Sequence, residues 1–190
     1  FADGWLDQDG ERFVFDALFV DAGYQRDAVY RFCRDQAAID RKQTQHVIPF
    51  NGRGASQVET MRYSHPAKMQ GNVVHIGEQY HFAHDQYEAL FRCVGNSDHW
   101  KTFVHKRISC SADAPGAMTI YHIASPNAHL PFAKQILSEV RQEEFKPGVG
   151  TIVRWEKKSK ANHFLDVIYM NCVAAHFCNV RIIREVATTN

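Results

Sequence analysis

Long apolar runs are missing from this sequence. Nothing in it approaches the roughly 20 residues that a membrane span needs, so no membrane partner is expected. The stretch from Phe1 to Gly10 is acidic and polar, and it reads as no signal peptide. Excess charge of one sign is missing too: 22 Lys and Arg stand against 21 Asp and Glu, a net charge of +1. That balance excludes a strongly basic nucleic-acid coat and leaves room for a local basic groove. No pair among Cys33, Cys93, Cys110, Cys172 and Cys178 has Cys-x-x-Cys spacing. A structural zinc site and a disulfide framework are therefore not expected. The thiols read as small buried hydrophobes in a reducing compartment. There is no Gly-x-Ser-x-Gly elbow, P-loop or dinucleotide fingerprint, hence no sign of ATP hydrolysis within the chain. Internal repeats and low-complexity tracts are also lacking.

What is present is globular. The 190 residues are 45% hydrophobic and 12% aromatic, which suits one domain with a sizeable core. The chain begins with Phe and reads as a fragment or processed product. Arg12 to Val20 is rich in Phe and Val and predicts a buried strand that exits at Asp21-Ala22-Gly23. Asp27 is expected to cap a following helix through Val29, Tyr30, Phe32 and Cys33. His46 to Phe50 predicts a second strand, followed by a loop at Asn51-Gly52-Arg53-Gly54, and Asn72 to Ile76 a third. Asp85 to Val94 has the spacing of an amphipathic helix. Met118 to Ile123 predicts a strand, and Phe132 to Val140 a helix behind Pro131. Lys146-Pro147-Gly148-Val149-Gly150 reads as the turn of a hairpin within Phe145 to Glu156. Ala161 to Cys178 repeats apolar residues at helical spacing, with Ser159 or Asn162 as its cap. Residues 54–71 and 95–117 show no period and read as loops. Strands alternating with helices make this an α/β chain.

Two carboxylates could carry chemistry. Asp21 follows a buried apolar run, where a charge needs a partner, and a divalent cation would supply one. A turn-forming aspartate that accepts backbone N–H bonds is the commoner role for such a motif alone. Asp166 sits one helical turn after Asn162, at the margin of an apolar helix face. In isolation it equally suits a carboxylate that complements the helix dipole. Together they suggest more. Convergent carboxylates can hold two Mg²⁺ or Mn²⁺ ions about 4 Å apart for phosphodiester hydrolysis. Positive charge for a phosphate backbone is offered by Arg53 between its glycines, and by Lys157, Lys158 and Lys160 just ahead of Asp166. Each lysine alone also fits a solvated surface. Lys101, Lys106 and Arg107 form a weaker second patch. Among 11 histidines, His81-x-x-His84 could approach a zinc pair, but it lies in strand-like or loop-like sequence with no third ligand nearby.

The block Val20-Asp21-Ala22-Gly23-Tyr24, followed by Ala28-Val29-Tyr30-Arg31-Phe32-Cys33-Arg34, resembles the large terminase subunit of lambda-like tailed phages. Val47 to Gly54 is similar to that family's next strand and glycine loop. Asn162 to Tyr169, with Trp155 upstream, is similar to its closing helix. The three blocks occur in the family's order and cover nearly the whole chain. The resemblance implies an RNase H-like mixed sheet flanked by helices, in one domain spanning 1–190 that lacks its first strand or strands. It implies a metal-dependent endonuclease that cuts double-stranded viral DNA during packaging. It further implies Asp21 and Asp166 as metal ligands, two bound ions, and the host cytoplasm. The small terminase subunit and the portal would be partners of the intact protein. The family's first metal aspartate lies upstream of the block matching Asp21, so the chain alone is expected to be weakly active or inactive. Asp16 is no substitute if it lies on one continuous strand with Asp21, because five residues away means the opposite face. A non-catalytic DNA-binding or packaging-assembly module of the same fold is the alternative. A transposase-like or resolvase-like enzyme is a third reading.

Overall fold

The computed structural model describes residues 4–39, 45–54 and 73–180. The chain divides into two compact units, Phe1–Ser97 and Asp98–Asn190.

The first unit is built on a five-stranded mixed sheet in the order β3-β4-β7-β6-β5. Its strands are β3 (Leu18–Asp21), β4 (Val47–Arg53), β5 (Val73–Gly77), β6 (Tyr80–Asp85) and β7 (Leu90–Asn96). β3, β4 and β7 run parallel; β6 pairs antiparallel with β7, and β5 pairs antiparallel with β6. Such a mixed α/β arrangement is compatible with an RNase H-like fold. Helix α1 (Arg26–Ile39) follows β3 and packs on β4. Its Tyr30 and Cys33 are fully buried in a cluster with Ala22, Val47 and Leu90. Elsewhere in the sheet Phe19 stacks on Phe50 at 5.6 Å between ring centroids and meets the edge of Phe82 at 6.0 Å. β4 pairs with β3 through residues 47–50 and with β7 through 50–53. Pro49, which has no N–H to donate, therefore falls in the half of β4 that serves one neighbour only.

Several expectations fail here for physical reasons. Arg12 to Val20 is not one strand. Arg12–Phe13 is β2 of a small hairpin with β1 (Trp5–Leu6), where Trp5 meets Phe13 and Phe15. Those aromatics serve the hairpin, and Asp16 lies in a bend whose carbonyl is bonded to His46 Nδ1 at 2.9 Å. The strand-alternation argument about Asp16 therefore does not apply. Helix α1 begins at Arg26, so Asp27 is a first-turn residue rather than the cap. Asn51, Gly52 and Arg53 are strand, not loop, because β7 pairs alongside them. Asp85 to Val94 is not a helix. Asp85 Oδ1 accepts the amides of Tyr87 and Glu88, which makes a turn, and Leu90 starts a strand. Most of the predicted loop at 54–71 lies outside the described residues.

The second unit holds α2 (Ser97–Ile108), α3 (Leu130–Ile136), the hairpin β8 (Glu139–Lys146) and β9 (Gly150–Lys157), and α4 (His163–Phe177). The hairpin and the final helix occur as the sequence predicts. Gly148 and Gly150 take φ of +76° and +98° in the hairpin turn, a backbone that favours glycine. Helix α2 occupies the predicted loop at 95–117 and buries Trp100, Lys101 and Val104. Met118 to Ile123 is irregular, with Ile120 and Tyr121 exposed and no strand partner among the described residues. The predicted helix to Val140 stops at Ile136. The Ser138 carbonyl accepts the amides of Lys158 and Ser159, which draws the chain into β8.

Candidate active site

In the sheet unit, Asp21 is the last residue of β3, Arg53 the last of β4 and Asn96 the last of β7. All three therefore end at the carboxyl edge of the parallel strands, where ligand sites form in open α/β sheets. The register sets Asp21 beside Phe50 and Arg53 beside Asn96, so the aspartate and the arginine are offset by three residues along β4. Asp21 is exposed and its Oδ1 accepts the Gly23 amide at 2.8 Å. This is the turn-forming bond expected of the motif. An ionised carboxylate has about four lone-pair sites, so acceptor capacity remains. Arg53 is exposed as well.

In the second unit, Asp166 belongs to a polar cluster that the sequence shows only in part. Helix α2 carries Lys101, β8 opens with Glu139, and α4 carries Asp166 in its first turn. The Lys101 ammonium lies 2.9 Å from each oxygen of Glu139 and 3.1 Å from Asp166 Oδ1. It also sits 5.4 Å from the centre of the Tyr169 ring. Asn162 occupies the N-cap position of α4 without a side-chain cap bond. Its amide instead donates to Glu139 Oε1 at 2.8 Å and Asp166 Oδ2 at 2.7 Å. Thus a lysine and an asparagine each bridge the same two carboxylates. Burial pushes the Asp166 carboxyl above its ordinary range, while Lys101 pulls it back down.

Lys157, Lys158 and Lys160 are exposed at the end of β9 and in the segment before α4. Lys157 Nζ donates to Asn162 Oδ1 at 3.4 Å, and Lys158 faces Glu156 at 3.6 Å. Nearby, Thr102, His105, Lys106, Ser109, Arg141 and Trp155 line a shallow groove between α2 and the hairpin. The His105 ring stacks on Trp155 at 4.3 Å, and the Trp155 indole donates to the Asp98 carbonyl and Thr102 Oγ1. Glu139 escaped the sequence reading, and Lys101 entered it only as part of a weaker basic patch, whereas it is buried. Each is a buried charge whose only signal is its partner, and the partners are far apart in the chain.

Among the described residues, no group of three or more His, Cys, Asp or Glu is placed to hold a metal ion. His81 and His84 are three residues apart on β6 and so leave opposite faces of the strand. The all-oxygen donors at Asp21 and Asp166 suit a hard divalent cation. The point between Glu139 and Asp166 is filled by Lys101 itself. No described helix is long and apolar enough to cross a membrane.

No curated protein and no solved structure is significantly similar to the chain. A family model does match it, that of the terminase large subunit gpA endonuclease domain, over residues 1–186. The match covers nearly the whole chain, and the chain belongs to that family of terminase large-subunit endonuclease domains.

Proposed function

We propose that this chain is a metal-dependent endonuclease unit that cuts double-stranded viral DNA during genome packaging, with Asp21 and Asp166 as metal ligands. The observation that carries the reading is the family match, which runs almost end to end. Asp21, at the carboxyl edge of the parallel strands with acceptor capacity left over, supports it. The family also supports DNA as the substrate. The small terminase subunit, the portal and a location in the host cytoplasm are proposed with it. A divalent ion such as Mg²⁺ or Mn²⁺, or a pair of them, supplies water activation and charge stabilisation when bound. The chain's own residues hold and orient. Arg53 offers a fork of N–H donors to a phosphate, and Lys157, Lys158 and Lys160 offer point charges along the backbone.

Isothermal titration with Mn²⁺ tests the reading. Asp21→Asn and Asp166→Asn are each expected to weaken binding by about tenfold or more, the scale at which even outer-shell substitutions act. Both variants should still bind duplex DNA. If both leave the Mn²⁺ isotherm unchanged and DNA is held equally well in EDTA, the chain is a non-catalytic binding module instead.

A further inference from the structure

The second basic patch of the sequence, Lys101, Lys106 and Arg107, does not survive folding as a patch. Lys101 is buried against Glu139. The Arg107 guanidinium lies over the Phe103 ring and donates to the carbonyls of Pro115 and Gly116. Lys106 is exposed, with no ion pair among the described residues, and lines the groove between α2 and the hairpin. Arg141, also exposed, lines the same groove from β8.

The groove lies within the second unit and measures about 310 Å³. That is the small end of ligand clefts, with room for one sugar-phosphate unit rather than a large cofactor. Trp155 gives it a fixed apolar wall, since the ring is stacked on His105 and its N–H is bonded to the Asp98 carbonyl and Thr102. The nearby carboxylates are engaged. Asp98 Oδ1 accepts the Trp155 amide at 3.0 Å, and Glu139 is neutralised by Lys101. Glu143 pairs with Arg141, but both are exposed, and such a pair opens at little cost. The strand register extends the positive charge. Arg141 pairs with Trp155 and Glu139 with Lys157, so Arg141, Trp155 and Lys157 share one face of the hairpin.

We infer that this groove holds the backbone of a DNA strand: Lys106 and Arg141 clasp one phosphate from two separate elements, the Trp155 ring packs on the adjoining deoxyribose, and Lys157 continues the track. The inference rests on the reading of the chain as a DNA-cutting unit and adds to it a site with no part in metal binding. The ammonium supplies a point charge and the guanidinium a fork of donors. Neither contact touches a base edge, so the groove positions DNA without reading sequence.

The experiment is fluorescence anisotropy of a labelled duplex over a salt series, with a thermal melt beside it, for wild type, Lys106→Ala, Arg141→Ala, the double variant and Lys106→Arg. Each alanine variant is expected to lower the slope of log affinity against log salt by about 0.9, and the double variant by about 1.8. Lys106→Arg keeps the charge and is expected to keep the slope. Both side chains are exposed, so all variants are expected to melt like wild type. Tryptophan emission gives a second reading. Duplex is expected to change it in wild type and to change it far less in the double variant. A wild-type slope in the double variant overturns the inference. So does an equal emission change produced by inorganic phosphate at the same phosphate concentration, which would make the groove a small-anion site. If wild type shows no salt-dependent duplex binding at all, the DNA reading falls and takes this inference with it. If wild type binds and the double variant keeps its slope, only the groove falls.

Discussion

Burial sets the reactivity of the thiols residue by residue. Cys33 is pushed up to about 11 and Cys93 well above its ordinary value, both by desolvation in the sheet unit. Cys172 on α4 is likewise pushed up to about 11, with Arg107 pulling slightly the other way. Cys110 and Cys178 are exposed. A disulfide reagent at about pH 8 is thus expected to modify Cys110 and Cys178 in the native protein, and Cys33 and Cys93 only after denaturation. Counting the thiols released with and without urea checks this. His105 gives the second prediction at this scale. Burial lowers its pKa below the ordinary 6.5, outweighing the bond to the Ile136 carbonyl and the nearby Glu139 carboxylate. A depressed folded value means that the unfolded chain binds the extra proton. The stability it contributes is therefore present above 6.5 and is lost as the pH falls towards the lowered value. His105→Gln should flatten the acid side of a urea-midpoint profile. An unchanged profile would show that other groups set it. At this scale the sequence is legible where a residue's role is local. Asp21 and Asp166 stand out because each interrupts an apolar pattern. Lys101 and Glu139 do not, since neither has a local reason to be buried.

Among the elements, close packing decides what each position tolerates. Gly95 in β7 faces Phe50, and a Cβ added there would meet the ring Cζ at 2.6 Å. The ring is fully buried and stacked on Phe19, which leaves it little room to withdraw. Gly95→Ala is expected to destabilise the protein by about 1–3 kcal/mol through overpacking. A fall in the urea midpoint at constant slope is the measurement, and a midpoint within error of wild type would show that the sheet relaxes. The same packing explains which elements could be read in advance. β4, the hairpin and α4 announce themselves through apolar runs, turn residues and helical spacing. The Asp85–Val94 segment misleads because Leu90, Phe91 and Val94 fit a helical face as well as a strand. The turn that settles the matter is made by one carboxylate on two amides. Helix α2 is invisible for the opposite reason: its buried face includes Asp98 and Lys101, so polarity hides the period. Sequence periodicity reports burial only where buried means apolar.

For the molecule as a whole, a net charge of +1 means that DNA cannot be held by a general basic field. Affinity must come from a few cations in the right places, and counterion release measures how many. Lys157, Lys158 and Lys160 form one such group, while Arg53 stands at the sheet edge in the other unit. Replacing all three lysines with Ala should weaken duplex binding uniformly across sequences, because phosphate contacts carry no base information. Each phosphate contact adds about 0.9 to the slope of log affinity against log salt. Three contacts would remove about 2.7, but Lys158 already faces Glu156 at 3.6 Å. The loss is therefore expected to be nearer about 2, and Arg53→Ala should remove about 1 on its own. Glu156→Gln supplies the converse: by releasing Lys158 it should steepen the slope. Fluorescence anisotropy on one duplex over a salt series measures all three variants. An unchanged slope in the triple lysine variant would place the DNA path elsewhere, and a steepening in Glu156→Gln without a loss in the triple variant would contradict the pairing argument itself.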